Sequence, residues 1–83
     1  MNFGQAIQVL KSGGKVYRQG WNGVGMWLEL QVPDEHSKMT DSYIFIEYPI
    51  NPKHHAHPYG FRGPWTPSQT DMLAEDWEVV PYE

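Results

Sequence analysis

Phe3, Ala6, Ile7 and Leu10 recur at helical spacing at the start of the chain, with polar and small residues between them. This spacing predicts an amphipathic helix, and Asn2 is placed to cap its first free amides. Ser12-Gly13-Gly14 then stops it, glycine supplying the left-handed closing residue. Lys15–Arg18 is a short strand candidate, and Gln19–Gly25 (QGWNGVG), with three glycines and an Asn-Gly pair, marks a turn. The period then changes to two. Met26, Leu28, Leu30 and Val32 alternate with Trp27, Glu29 and Gln31, the pattern of a half-buried strand.

Pro33–Asp41 is polar and reads as a loop, whereas Ser42–Ile50 is aromatic and β-branched up to Pro49 and predicts a further strand. Between Pro49 and Pro67, five prolines and two glycines forbid a long regular element and leave a structured loop with room for a short strand. Ser68 and Asp71 have the spacing of a capping box at the start of a short helix, and Trp77–Val80 closes the chain as a last strand. On that helix the acids are expected to sort by environment. Asp71 is stabilised by the helix dipole, Glu75 and Asp76 face water, and Met72, Leu73 and Trp77 turn inward. The predicted fold is α+β: an N-terminal helix packed on a small antiparallel sheet, with a short C-terminal helix before the last strand. Residues 1–83 are read as one domain.

Composition narrows the classes. A domain of 83 residues buries only about 60–65% of the surface its unfolded chain exposes, so its core is small. Cysteine is absent, which removes a disulfide framework and a cysteine-based zinc site and fits a reducing compartment. Burial between subunits is then the expected supplement, and four Trp, five Tyr and three Phe supply apolar area for a core, an interface or a flat ligand. Ten acids against six bases give a net charge of −4, without a Lys/Arg cluster, which argues against a nucleic-acid polymer as partner. Apolar runs are far short of a membrane span, and the start MNFGQAIQVL lacks the basic and apolar regions of a signal peptide. A soluble, non-membrane, intracellular protein is expected.

Two blocks carry a resemblance: FGQAIQVLKSGGKVYRQGWNGVGMWLEL (Phe3–Leu30) and PWTPSQTDMLAEDWEVV (Pro64–Val80). Together they resemble the Thoeris anti-defence family, second type, of small phage proteins. The resemblance implies a sponge. Such proteins bind and sequester a cyclic ADP-ribose-type (glycocyclic ADP-ribose) signal of bacterial immunity without degrading it, in the host bacterial cytoplasm, so that the immune effector stays off. It implies a homo-oligomer, a tetramer with its main pockets between subunits, and for some members cyclic oligonucleotide signals in separate pockets. It implies no cofactor.

The residue types suit such a ligand. Adenine takes an aromatic face, pyrophosphate takes free amides or an arginine, and ribose hydroxyls take short polar side chains. Trp21 and Asn22 lie in the Asn-Gly turn, where Trp21 is read either as a stacking or intersubunit group or as packing over the sheet. Arg18 precedes that turn and is the first choice for a charged pocket contact, with a surface salt bridge as the alternative. Trp27 alternates with the apolar set and faces ligand, partner or solvent. Trp65 is held between prolines as a rigid display, whereas Trp77 reads as core. Ser68, Gln69, Thr70 and Asp71 place polar side chains at a helix start. In the run His54, His55 and His57, an extended segment puts His55 and His57 on one face at chelating spacing, but a third ligand is not placed nearby, so solvated or ligand-facing imidazoles are expected and no metal. Nothing resembles a catalytic nucleophile in its activating context, so the protein is not expected to be an enzyme. A small phage structural or protein-interaction module is the alternative, and a hydrolase of the signal a further one.

Overall fold

The computed structural model describes residues 1–21, 25–50 and 60–81 of the chain. Helix α1 covers Phe3–Lys11. Asn2 caps it reciprocally: its side-chain oxygen accepts from Gln5 N at 2.8 Å, and the Gln5 side chain accepts from Asn2 N at 2.9 Å. The other end closes as the Ser-Gly-Gly run predicts. Gly13 adopts φ +94°, in the left-handed region that a side chain would strain, and its amide donates to Leu10 O.

The strands are β1 (Val16–Arg18), β2 (Trp27–Gln31), β3 (Tyr43–Tyr48) and β4 (Phe61–Pro64), followed by α2 (Gln69–Leu73) and β5 (Trp77–Val79). All neighbours are antiparallel and their order is β4-β3-β2-β1-β5, so the last strand lies against the first. Val16 pairs with Leu28 and Leu28 with Ile46, which places these three on one face of the sheet. There they meet Ala6 and Leu10 of α1 and the indole of Trp77, forming the buried core. The opposite face carries Tyr17, Trp27, Glu29, Phe45, Glu47 and Arg62 by strand alternation and register. No described helix covers that face. Phe45 is nonetheless buried, with the Arg62 guanidinium 5.5 Å from its ring centre.

Three expectations need correction. Val32 does not continue the inward set of β2, because the strand ends at Gln31 and Val32 is 65% exposed. Met72 and Leu73 do not turn inward, and Leu73 is 78% exposed. A helix of five residues has room for little more than one turn, and the side chain it sends toward the molecule is Asp71. Asp76 does not face water alone, because Arg18 and Gly20 donate to its two oxygens. Trp77 is fully buried, as its place at the start of a strand predicts, and Glu75 is exposed. Among the described residues no helix is long and apolar enough to cross a membrane.

Candidate functional site

The last residue of β1, Arg18, stands opposite Trp77 in the β1–β5 ladder and sends its guanidinium to two carboxylates. Nε donates to Asp76 Oδ1 and Nη1 to Asp71 Oδ1, both at 2.8 Å. The chain then turns, and the same carboxylates hold the turn. Asp76 Oδ2 accepts from Gly20 N at 2.8 Å, and Trp21 N donates back to Arg18 O at 3.2 Å. A Cβ at position 20 would lie 2.8 Å from Asp76 Oδ2, so any larger residue there would have to push that carboxylate aside. Asp71 completes the assembly from α2: Oδ1 also accepts the Trp21 indole N–H at 3.4 Å, and Oδ2 accepts from Ser68 N and Oγ at 3.0 and 2.9 Å.

Charge follows from this geometry. Partial burial pushes the Asp71 carboxyl up, but the Ser68 amide, Arg18, the Ser68 hydroxyl and the Trp21 indole together outweigh burial, and its pKa lies below the ordinary 3.8. The Arg18 hydrogen bond likewise holds Asp76 below 3.8, with the Gly20 amide assisting. Both acids are therefore anions at neutral pH. The tryptophans close over this cluster. The Trp21 ring lies 5.5 Å from Trp77 at an interplanar angle of 81°, and Trp65 packs 6.5 Å from Trp21 and 6.1 Å from Trp77. The Trp77 indole N–H donates to Asp71 O at 3.0 Å.

Beside this cluster opens a cleft of about 670 Å³, lined among others by Tyr17, Arg18, Trp21, Met26, Trp27 and Pro49. Trp27 is fixed in its wall: its indole N–H donates to Glu29 at 3.2 Å, and Lys15 Nζ lies 5.2 Å from the ring centre while pairing with Glu29 at 3.7 Å. A second cleft, also about 670 Å³, shares Trp27 and Pro49 with the first. Its other walls include Tyr48 and Phe61, stacked at 4.2 Å, and Arg62, whose Nε donates to Glu47 at 2.7 Å.

The structure thus brings Arg18, Trp21 and Trp27 together in one lining. Trp65 lies apart, packed against Phe3, Trp21 and Trp77. Ser68, Gln69, Thr70 and Asp71 line neither cleft, the first three being exposed at the start of α2. Asn22, His54, His55 and His57 lie outside the described residues. Among the described residues no three His, Asp or Glu side chains gather as a metal site. Tyr17, Met26 and Pro49 were missed. Tyr17 had a signal, since it alternates with Val16 and Arg18 and must face away from the core. Pro49 had none, because its approach to Gly25 joins segments distant in sequence.

A family model described as the Thoeris anti-defense 2-like domain (Tad2-like) matches residues 1–80. The chain belongs to the Thoeris anti-defense 2-like family. A protein of Bacillus phage SP01 described as Thoeris anti-defense 2 is 41% identical over 93 residues, covering 96% of this chain and 94% of the relative. Membership of the Thoeris anti-defense 2-like family supports a role in phage anti-defence, and the matched span includes every described residue that lines the first cleft except Pro81.

Proposed function

We propose that this protein is a non-catalytic sponge. It binds a cyclic ADP-ribose-type nucleotide in the host bacterial cytoplasm, holds it intact and so keeps the immune effector it would activate switched off. The observation that carries this reading is the convergence of Tyr17, Trp21 and Trp27 on one cleft in a member of this family. Its volume falls within the roughly 300–1,000 Å³ usual for small-molecule sites. Adenine stacking on one of these rings contributes about 1–3 kcal/mol. The two carboxylates paired with the cleft residue Arg18 support a binding role over general-acid hydrolysis: Asp71 and Asp76 are held ionised, which suits neither to donate a proton at neutral pH. The sheet face with Tyr17, Trp27 and Tyr43, which no described helix covers, favours assembly of several copies, and the proposed unit is a tetramer.

Glycocyclic ADP-ribose incubated with the protein, freed by heat and identified by chromatography tests the reading directly. A sponge retains the nucleotide on a size filter and returns it unchanged. Recovery of a cleaved product would make the protein a hydrolase, and absence of retention would leave a protein-interaction module. Trp27→Ala is predicted to weaken calorimetric affinity roughly five- to hundredfold, the loss of one stacking contact.

A further inference from the structure

Helix α2 presents a puzzle that the core does not answer. None of its residues is buried, its apolar side chains Met72 and Leu73 face outward, and yet it is capped at its start by a complete reciprocal pair. Its hydrogen bonds to the other described elements run through Asp71, whose side chain is 14% exposed against 15% for its partner Arg18. An ionised carboxylate offers about four lone-pair positions on two oxygens. Four donors occupy them here: Arg18 Nη1 and the Trp21 indole on Oδ1, and the Ser68 amide and hydroxyl on Oδ2. Asp71 therefore has no acceptor position left for a ribose hydroxyl, and it lines neither cleft.

We propose that Asp71 is a positioning residue: it fixes the Trp21 ring in the wall of the first cleft, and it touches no ligand. The proposal rests on the reading of that cleft as the nucleotide site. Its chemistry makes asparagine a poor substitute. A single amide oxygen can serve Ser68 or the Arg18–Trp21 pair but not both, and the amide nitrogen then opposes another donor. Trp21 would remain packed on Trp77, but its indole N–H would lose its acceptor where the oxygen turns to Ser68 and would keep only a weaker, neutral one where it does not.

The experiment combines two measurements on the full chain. Calorimetry with glycocyclic ADP-ribose is run on Asp71→Asn, Trp21→Phe, their double variant and Ser68→Ala, with circular dichroism melts to establish folding. Asp71→Asn and Trp21→Phe should each weaken binding at least threefold. The double variant should bind no more than twofold weaker than Trp21→Phe, because an effect transmitted through Trp21 disappears with it. Ser68→Ala, which damages the cap but leaves Oδ1 with its donors, should stay within twofold of the wild type. Additive losses would make Asp71 a ligand contact, and an equal loss in Ser68→Ala would reduce it to a helix-stability group; either overturns the proposal. The second measurement needs no ligand. The indole N–H resonance of Trp21, identified by its absence in Trp21→Phe, should move upfield in Asp71→Asn, and an unmoved resonance overturns the proposal. If the wild type takes up no nucleotide, the site reading fails while the resonance still decides whether Asp71 holds Trp21. Should Asp71→Asn not fold, Asp71→Glu, which keeps both oxygens but displaces them by a methylene, takes its place in both measurements.

Discussion

Arg18 is placed where a lone cation would be an obvious anion contact, but two carboxylates claim it first. The same residue types that suggest nucleotide chemistry in the sequence are thus spent partly on one another. This has a consequence for acid stability. Asp71 and Asp76 have folded-state pKa values below 3.8, so their contribution to stability is fully present above the unfolded value and is lost as pH falls through the lower folded values. Thermal melts should show little change attributable to this pair from pH 6 down to about pH 4 and a steep fall below it. In Arg18→Gln the acid-side fall should be shallower, because the largest cause of the Asp76 shift and one cause of the Asp71 shift are removed. Parallel acid profiles for the two proteins would refute this assignment.

At the scale of elements, the molecule contrasts a helix that is packed with one that is tethered. Leu10 of α1 is buried in the core, whereas Leu73 of α2 is exposed. Urea unfolding should therefore separate two chemically identical substitutions: Leu10→Ala is expected to cost about 2–5 kcal/mol, and Leu73→Ala about 0.5 kcal/mol or less. Similar costs would mean that α2 contributes to the core after all. Periodicity made α1 and β2 legible in the sequence, and Asn2 and Ser68–Asp71 announced their caps by residue type and spacing alone. The orientation of α2 was not legible, because a helix with little more than one turn has no period to read. Proline density likewise obscured β4, which survives as an edge strand where the missing amide of Pro64 leaves no inner ladder bond unmade. For the site, turn chemistry pointed to Trp21 and strand alternation to Trp27. The place of β5 beside β1, which brings Asp71 and Asp76 to Arg18, depends on a sheet order that local sequence does not encode.

The whole molecule leaves one sheet face uncovered by any described helix, with Tyr17, Trp27 and Tyr43 on it among charged neighbours. If that face is shared between copies, light scattering at micromolar concentration should give about four times the 9.6 kDa chain mass. A monomer would withdraw the tetramer from the proposed function while leaving the single-chain cleft to be tested on its own.

The ladder that sets residues 16–18 against 77–79 also has a temporal meaning. The β2–β3 pair joins segments close in sequence, but β1 and β5 meet only after nearly the whole chain has been looped, and that closure has a high entropic cost until its contacts form. Arg18, Asp71 and Asp76 should consequently come together on the native side of the folding barrier. Stopped-flow measurements on Arg18→Gln are expected to show faster unfolding with a refolding rate within twofold of the wild type. A refolding limb slowed as much as the unfolding limb is accelerated would place the closure before the barrier. On this account the clasp sets how long the folded chain persists, and leaves how quickly it forms to the hairpin.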